Sequence, residues 1–395
     1  MSWPNVSSYI RLAKPMVGDE ELRAIKRVLD SGFLTEGPVT AEFERKVASY
    51  LGCKYAIATT SCSTALELAL RTLGIKKGDE IIAPDFTYPI TASVAYLVGA
   101  EPVLVDVYPD TYCMNMQEVE EAISERTKAV IPVSLFGHPI NLEPLMKLQK
   151  KYGFVIIEDA ACSFGASYKG KMTGSIADVT CFSFHPRKII TTGEGGMLTT
   201  NNDEIKAKAA SLKKFGMVTT PDEKIVFMYP GTNYKMSDIL AAIGIVQLSK
   251  IELMIEDRIK KAHIYNELLA DKHYVKVPTV LEGARHIYQT YCIVLKIKGI
   301  RDKVIEKMRK MGIETQIGTY CLHIHPLFAH AKKIGSCEVS EYLYNNSIAL
   351  PLHYALTYED QKRVVDCLDI AVSETLKTSQ HYDDAPDSIL DSNIL

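Results

Sequence analysis

A single lysine stands at an unusual place in the sequence. Lys188 follows the aromatic, β-branched run "DVTCFSF" (178–184) and precedes "TTGEGG" (191–196). Surface lysines usually lie among polar residues, whereas this one is predicted at the end of a buried strand, beside a tight glycine turn. A lysine in such a place can act as a nucleophile, because desolvation lowers the pKa of its amine. We therefore interpret Lys188 as a candidate for covalent chemistry and the glycines as the turn that aims it.

Other polar residues also follow predicted strands. The stretch "SCSTAL" (61–66) places Cys62 and Ser63 at the start of a predicted helix, where free backbone N–H groups and the helix dipole favour a phosphate. Tyr88, after "DEIIAP", offers an aromatic face to a planar ring. Asp159 ends "FVIIED", where a buried carboxylate needs a cationic partner. Because ligands of open α/β sheets bind outside the carboxyl ends of the strands, these residues are predicted to share one site.

A phosphate cradle, an aromatic plate, a buried carboxylate and an amine are the parts of a pyridoxal phosphate (PLP) site. In such a site the lysine forms a Schiff base, and the carboxylate keeps the pyridine nitrogen protonated so that the ring withdraws electrons. Each residue also has a plain structural interpretation: a helix cap, an ion pair for Asp159, packing for Tyr88, a surface position for Lys188. All of these residues occur together in this order along one chain, which favours the shared PLP site over four separate structural roles.

These residues need a scaffold that brings distant strand ends together. Apolar, β-branched runs alternate with amphipathic helical patterns such as 63–74 and 90–98; the runs lie at 54–60, 79–84, 102–107, 128–137, 154–160 and 178–184. Continuous apolar strands between amphipathic helices are typical of a mostly parallel sheet covered by helices on both faces. The predicted fold class is therefore α/β.

The pattern changes along the second half of the chain. A helix at 19–31 and a long helical region at 236–269 flank the alternating part, and shorter strands and helices follow from about residue 275. We predict a large PLP-binding domain (1–270), a smaller α+β domain (271–377) and a polar, flexible tail (378–395).

Composition excludes several classes of protein. The net charge of −3 argues against a nucleic-acid surface. No apolar run approaches the ~20 residues of a membrane span, and the first residues lack the apolar region of a signal peptide. The nine cysteines show no CxxC pair, which is typical of reduced thiols. We expect a cytoplasmic protein that binds neither nucleic acid nor membrane.

The sequence resembles the DegT/StrS-type sugar aminotransferases, a PLP-dependent family with the aspartate aminotransferase fold. The resemblance covers roughly residues 8–370, and it rests on "TSCSTALELAL", "GDEIIAPDFTY", "VIIEDAACSFGA", "FSFHPRKIITTGEGGMLTT" and "GTNYKMSDILAAIGIVQL". It implies that Lys188 forms the Schiff base, that Asp159 faces the pyridinium nitrogen, that Tyr88 stacks on the ring and that Cys62 and Ser63 hold the phosphate.

The resemblance implies further roles for residues that lie outside the centres of these motifs. Ser183 is a second phosphate contact, and His325 lies near the sugar pocket. Asn233 reaches the phosphate from the neighbouring subunit, which implies an obligatory homodimer with composite active sites. Two positions depart from the family pattern. Cys162 stands where Gln or His usually lies near the phenolic oxygen of the ring, and a thiol is a weaker hydrogen-bonding group. Lys235 stands where Arg usually follows the asparagine, so no bidentate contact is inferred there.

Two histidines raise the question of a metal. His323 and His325 in "LHIHPLF" would lie on one face of a strand, but the sequence offers no third ligand. No metal site is therefore predicted.

The resemblance implies transfer of an amino group from glutamate or glutamine to a keto group of a nucleotide-linked deoxysugar, for amino-sugar and polysaccharide biosynthesis. One alternative is a PLP-dependent nucleotide-sugar 3-dehydratase, but those relatives carry His at the position of Lys188. Another is a non-catalytic regulatory protein that binds PLP or a sugar.

Overall fold

The computed structural model describes residues 9–383. Its helices are α1 (Asp19–Ser31), α2 (Pro38–Leu51), α3 (Cys62–Thr72), α4 (Ile90–Leu97), α5 (Met116–Ala122), α6 (Glu143–Tyr152), α7 (Asp203–Leu212), α8 (Asp238–Ser249), α9 (Ile251–Leu268), α10 (Arg301–Lys310), α11 (Glu338–Asn346) and α12 (Tyr358–Asp383). Its strands are β1 (Tyr55–Thr59), β2 (Glu80–Pro84), β3 (Phe86–Thr87), β4 (Glu101–Val105), β5 (Thr127–Val130), β6 (Val155–Asp159), β7 (Ser167–Tyr168), β8 (Lys171–Met172), β9 (Val179–Ser183), β10 (Gly196–Thr200), β11 (Met217–Thr219), β12 (Ile225–Phe227), β13 (Val275–Lys276), β14 (Ala284–Arg285), β15 (Tyr291–Leu295), β16 (Gln316–Ile317), β17 (Tyr320–Cys321), β18 (Lys332–Lys333) and β19 (Ser347–Leu350).

An eight-stranded sheet forms the centre of the larger part of the chain. Its strand order is β1-β10-β9-β6-β5-β2-β4-β18. Strand β10 pairs antiparallel with β1 and with β9, and the strands from β9 to β18 pair parallel. The predicted α/β class with a mostly parallel sheet is confirmed.

Successive residues of the central strands pack on opposite faces of this sheet, as strand geometry requires. Ile57 and Cys181 belong to a core with the side chains of α3, α4 and α7. Their neighbours Ala58 and Phe182 belong to a second core, with side chains of α2, α8 and α9. Helices therefore cover both faces, and the ends of the central strands are the free edge at which a ligand can bind.

A second, four-stranded antiparallel sheet lies in the C-terminal part, in the order β13-β15-β19-β16. It shares a core with α10 and α12, and Ile10 from the N-terminal segment joins that core. Conversely, β18 pairs with β4 of the large sheet and β17 pairs with β3. The smaller α+β unit is present, and the domain boundary at residue 270 stays a prediction, because segments from each side of it pack with the other.

Three elements differ from the sequence prediction. The long helical region is two helices, since α8 ends at Ser249 and α9 begins at Ile251. The strand predicted at 128–137 ends at Val130; Pro132 has no N–H to donate, and residues 135–137 form a 3₁₀ turn. Helix α12 continues to Asp383, so residues 378–383 of the predicted flexible tail are helical, and residues 384–395 lie outside the described chain. Within residues 9–383 no helix is both long and apolar enough to cross a membrane.

Candidate active site

A cavity of about 320 Å³ opens at the carboxyl ends of the central strands. Seven of the predicted site residues line it: Cys62, Ser63, Tyr88, Asp159, Cys162, Ser183 and Lys188. We call the part formed by these seven residues the cofactor wall. Residues that are far apart in the sequence are thus brought together by the parallel sheet, as the strand-end argument predicted.

Lys188 lies on the connection between β9 and β10 and not at the end of the strand, where the sequence pattern predicts it. Strand β9 ends at Ser183, and the connection is a folded loop. The Lys188 N–H donates to the carbonyl of His185 at 2.8 Å, and the Thr192 N–H donates to the carbonyl of Phe184 at 3.0 Å. These bonds close the base of the loop, so that the lysine is held by a hairpin rather than by a strand.

Two glycines of this loop are required by close packing. A Cβ on Gly195 would lie 2.2 Å from Thr192 Oγ1, and a Cβ on Gly196 would lie 2.2 Å from the carbonyl of Ser61. Gly193, in contrast, has a φ of +90°, which favours glycine for its backbone conformation. The predicted role of the glycines in the turn therefore applies to Gly193, while Gly196 lets β10 approach the turn before α3.

The amine of Lys188 has a specific partner. Its Nζ donates a hydrogen bond to Cys162 Sγ at 3.2 Å. Burial alone would lower the pKa of Lys188, but Cys162, Cys62 and Asp159 together raise it above its ordinary value. The expectation of a lowered pKa is therefore wrong for this arrangement, because the sequence pattern does not reveal the acidic neighbours.

Asp159 is buried at the floor of the cofactor wall, with 4% of its surface exposed. Thr91 Oγ1 donates to Oδ2 at 2.7 Å, and the Ala161 N–H donates to Oδ1 at 3.1 Å. Burial raises the pKa of Asp159, and these two donors and Lys188 oppose that rise. Within the described residues Lys188 attracts this carboxylate without forming a direct salt bridge to it. Sequence reasoning missed Thr91, which carries no motif signal inside α4.

The start of α3 fits a phosphate. Ser61 caps the helix, accepting a hydrogen bond from the Thr64 N–H at 3.1 Å. Among the hydrogen bonds formed within residues 9–383, none uses the backbone N–H groups of Cys62 or Ser63. Both residues line the cavity, so two free donors and the positive end of the helix dipole are available to an anion.

The aromatic and hydroxyl positions complete the cofactor wall. The Tyr88 side chain is 57% exposed, and its ring meets Tyr320 edge-on at 6.0 Å. Ser183 Oγ accepts a hydrogen bond from the His185 N–H at 3.4 Å. An amine, a buried carboxylate, an open ring face and free phosphate donors around one cavity fit PLP.

Two predicted residues do not line the cavity. Asn233 is exposed, bridges to Lys214 through its backbone and accepts the Lys235 N–H through Oδ1 at 3.3 Å. His325 lies between the rings of Tyr320 and Tyr344, 5.7 and 6.2 Å away. Within one chain, neither residue is therefore in position for the role that the resemblance implies.

Sequence reasoning also missed the opposite side of the cavity. We call it the C-terminal wall; its lining includes Gln289, Gln316, Gly318, Thr319 and Leu350. Gln289 Nε2 donates to the carbonyl of Arg187, and Arg187 Nη1 donates to Gln316 Oε1 at 3.1 Å. The wall is thereby tied to the loop that carries Lys188. No sequence signal marks these residues, because they lie beside short strands of the second sheet.

Comparison with known proteins identifies the family of the chain. Residues 15–369 match the DegT/DnrJ/EryC1/StrS aminotransferase family. A GDP-perosamine synthase of Caulobacter vibrioides is 37% identical over 364 residues, which is 91% of this chain and 97% of the relative.

Solved structures resemble most of the chain. Spr1654 from Streptococcus pneumoniae in its PLP form superposes with a TM-score of 0.86 at 28% identity, covering 93% of this chain and 99% of that one. A GDP-4-keto-6-deoxy-D-mannose-3-dehydratase of E. coli with bound hydrated PLP has a TM-score of 0.85 at 26% identity, covering 91% and 99%. The cofactor of the chain is PLP, and the chain, an aminotransferase that acts on sugars, belongs to the DegT/DnrJ/EryC1/StrS aminotransferase family.

Proposed function

We propose that the enzyme transfers an amino group from glutamate or glutamine to a keto group of a nucleotide-linked deoxysugar, for amino-sugar and polysaccharide biosynthesis. The observation that carries the proposal is the convergence of Lys188, Asp159 and the start of α3 on one open cavity. The GDP-linked sugar product of the Caulobacter relative supports a nucleotide-linked acceptor.

Each residue of the cofactor wall has a distinct part in this proposal. PLP, when bound, supplies a carbonyl carbon for the amine and a protonated ring that withdraws electrons. Lys188 Nζ holds the cofactor at rest and, once the amino donor has displaced it, moves the proton at the substrate carbon. Asp159 keeps the ring nitrogen protonated, and its two donors fix the carboxylate before any ligand arrives.

The remaining residues hold and orient the cofactor. The free N–H groups of Cys62 and Ser63 bind the phosphate with Ser183, and Tyr88 stacks on the ring. Cys162 Sγ lies beside Lys188 Nζ. It is therefore placed to accept a hydrogen bond from the amine while Lys188 is not bound to the cofactor. In the proposed dimer Asn233 of one subunit contacts the phosphate of the other, and its exposure is compatible with that contact.

The nearest alternative is a nucleotide-sugar 3-dehydratase, since one such enzyme shares the fold. That reaction removes a hydroxyl group from the sugar, and a lysine able to recapture the cofactor works against it. Lys188, hydrogen-bonded within the cavity, therefore favours amino transfer. A non-catalytic binding protein would have no need of a buried carboxylate held by two donors beside the amine.

The test is a screen of nucleotide-linked 3-keto and 4-keto deoxysugars with nitrogen-labelled glutamate or glutamine. We expect one acceptor to gain the labelled nitrogen, as seen in the product mass, with formation of the corresponding 2-oxo acid. Loss of a hydroxyl group without nitrogen gain would identify a dehydratase. Binding of PLP with no change in any sugar would favour the regulatory alternative.

A further inference from the structure

Side chains of types that can ligate a metal form a cluster at the end of β2, beside β3 and β17. Asp85, His323 and Cys337 place their ligand atoms within 4.8 Å of one another. Cys321 joins them, since its Sγ lies 3.1 Å from Asp85 Oδ2 and 3.3 Å from His323 Nδ1. We propose that these four side chains bind a divalent metal ion of the zinc class as a structural site.

The donors come from three separated segments. Asp85 follows β2, Cys321 ends β17 with His323 in the 3₁₀ turn after it, and Cys337 caps the start of α11. His323 is not on a strand, and its partner is not His325. Asp85 lies 238 residues from His323 in the sequence, and Cys337 belongs to a different element. This separation explains why the sequence showed only a His-x-His pair.

The hydrogen bonds between Asp85 and His323 involve only two of the four side chains. Asp85 Oδ1 accepts the His323 N–H at 2.8 Å, and Oδ2 contacts His323 Nδ1 at 2.7 Å. Those bonds give a stable Asp–His pair without any metal. Two fully buried thiols lie beside the same carboxylate and imidazole: Cys321 Sγ contacts both, and Cys337 Sγ lies within 4.8 Å of both. Two sulfur, one nitrogen and one oxygen donor form a set that zinc prefers.

Each thiol has a hydrogen-bond acceptor when no metal is bound: Cys321 Sγ donates to Asp85 Oδ2 at 3.1 Å, and Cys337 Sγ donates to the carbonyl of Ile334 at 3.7 Å. Metal binding would release both thiol protons and move the His323 proton from Nδ1 to Nε2. With bonds of about 2.0 to 2.3 Å, tetrahedral donors lie roughly 3.3 to 3.8 Å apart, so the Asp85–His323 contact would open by about half an ångström.

At this position a bound metal ion would have a structural role. Cys321 pairs with Phe86 of β3, and Tyr320 pairs with Thr87, directly before the cavity residue Tyr88. A metal here would fasten β17 and α11 to the end of β2. With four protein donors no coordination position is left for a substrate, so the site differs from the PLP chemistry.

The test uses the PLP-loaded enzyme, purified without a histidine tag and without chelators, saturated with zinc and then exchanged into metal-free buffer. We expect elemental analysis to find close to one zinc per chain. Cobalt in place of zinc should give tetrahedral d–d bands at wavelengths longer than the cofactor absorbs. Wild-type enzyme that retains no zinc and shows no such bands with cobalt overturns the proposal.

Variants separate this cluster from other thiols. Cys321→Ser and Cys337→Ser should each weaken zinc retention at least about tenfold, the loss that even outer-shell mutations of metal sites cause. Cys367→Ser, at a buried cysteine in α12, is the matched control and should retain zinc as the wild type does. Equal retention by all three variants would place the metal elsewhere and overturn the assignment.

Discussion

The cofactor wall and the C-terminal wall of the cavity differ in how their polar groups are held. In the cofactor wall, Asp159 is buried and accepts hydrogen bonds from Thr91, Ala161 and, at 4.0 Å, the thiol of Cys62. In the C-terminal wall, Gln316 is exposed and pairs with the exposed guanidinium of Arg187. A buried, hydrogen-bonded carboxylate suits a fixed contact with a cofactor, whereas the exposed Arg187–Gln316 pair can exchange its hydrogen bond for one to a substrate.

The largest expected effect is on the cofactor wall. Under the proposed function Lys188 holds PLP and moves the proton, so we expect Lys188→Ala to show no transamination and no visible band of covalently held cofactor. The measurement is absorbance together with turnover. Lys169→Ala, at an exposed lysine, is the control and should leave both unchanged.

Chemical labelling tests the same assignment without mutation. Borohydride reduction of the wild-type enzyme followed by peptide mapping should mark Lys188. A label on Lys169 or Lys171 would assign the covalent site to that lysine and contradict the role proposed for Lys188.

The second effect concerns the carboxylate. Asp159→Asn cannot stabilise a charged ring nitrogen, so we expect PLP to bind while turnover falls by roughly 10²–10³-fold, the range for removal of one electrostatic group. Glu158→Gln is a matched control, because Glu158 is a buried neighbour on the same strand that accepts a hydrogen bond from Ser134 Oγ at 2.6 Å. Near-normal turnover in Asp159→Asn would make Asp159 a structural residue.

The third effect tests Asn233, which belongs to neither wall. If Asn233 completes the partner's phosphate site, Asn233→Ala weakens function in the homodimer. Subunit exchange between Lys188→Ala and Asn233→Ala chains then gives heterodimers with one intact and one doubly damaged site. We expect activity to rise above either parent, towards half of the wild-type value per heterodimer.

The contrary result is equally definite. Weak activity of Asn233→Ala, combined with no recovery after exchange, would show that Asn233 acts within its own chain. Size measurements on the mixture must confirm that heterodimers have formed.

The contrast between the walls also explains how much the sequence predicts. The residues of the cofactor wall follow strands, where hydrophobic runs give way to polar residues, so Cys62, Asp159 and Lys188 can be assigned to one site from the sequence alone. Even there the pattern predicts a strand end in place of the hairpin that carries Lys188, because a loop of packed glycines leaves no periodic signal.

The C-terminal wall cannot be found in the same way. Gln289 and Gln316 lie beside or within short strands, and they reach the cavity only because the second sheet packs against the Lys188 loop. Thr91 escapes prediction for a related reason: its contact with Asp159 depends on how α4 rests on the large sheet. Side-chain pairs between elements far apart in sequence are decided by tertiary packing.

A pair of buried histidines joins the segments behind the two walls. His138 follows the 3₁₀ turn after β5, and His286 precedes Gln289 of the C-terminal wall. Their rings meet edge-on at 5.3 Å, and His138 Nε2 accepts the Leu281 N–H at 3.1 Å. Burial lowers the pKa of His138 to about 4, and burial together with His138 lowers the pKa of His286 well below its ordinary value.

The last prediction concerns the effect of this histidine pair on the free energy of unfolding. It is the smallest of the expected effects at neutral pH. Above the unfolded-state pKa of about 6.5 both histidines are neutral whether the chain is folded or not, so the full free energy of unfolding is kept. As the pH falls towards about 4, the unfolded chain binds protons that the folded chain excludes, and His138 alone lowers the free energy of unfolding by about 2 kcal/mol at a pH near 5. Denaturant unfolding of the wild type and of His138→Gln, which keeps an acceptor for Leu281, measures the slope, and His263→Asn at an exposed histidine is the control. An equal loss of stability in His138→Gln and wild type between neutral pH and pH 5 would show that protonation of His138 does not lower the free energy of unfolding.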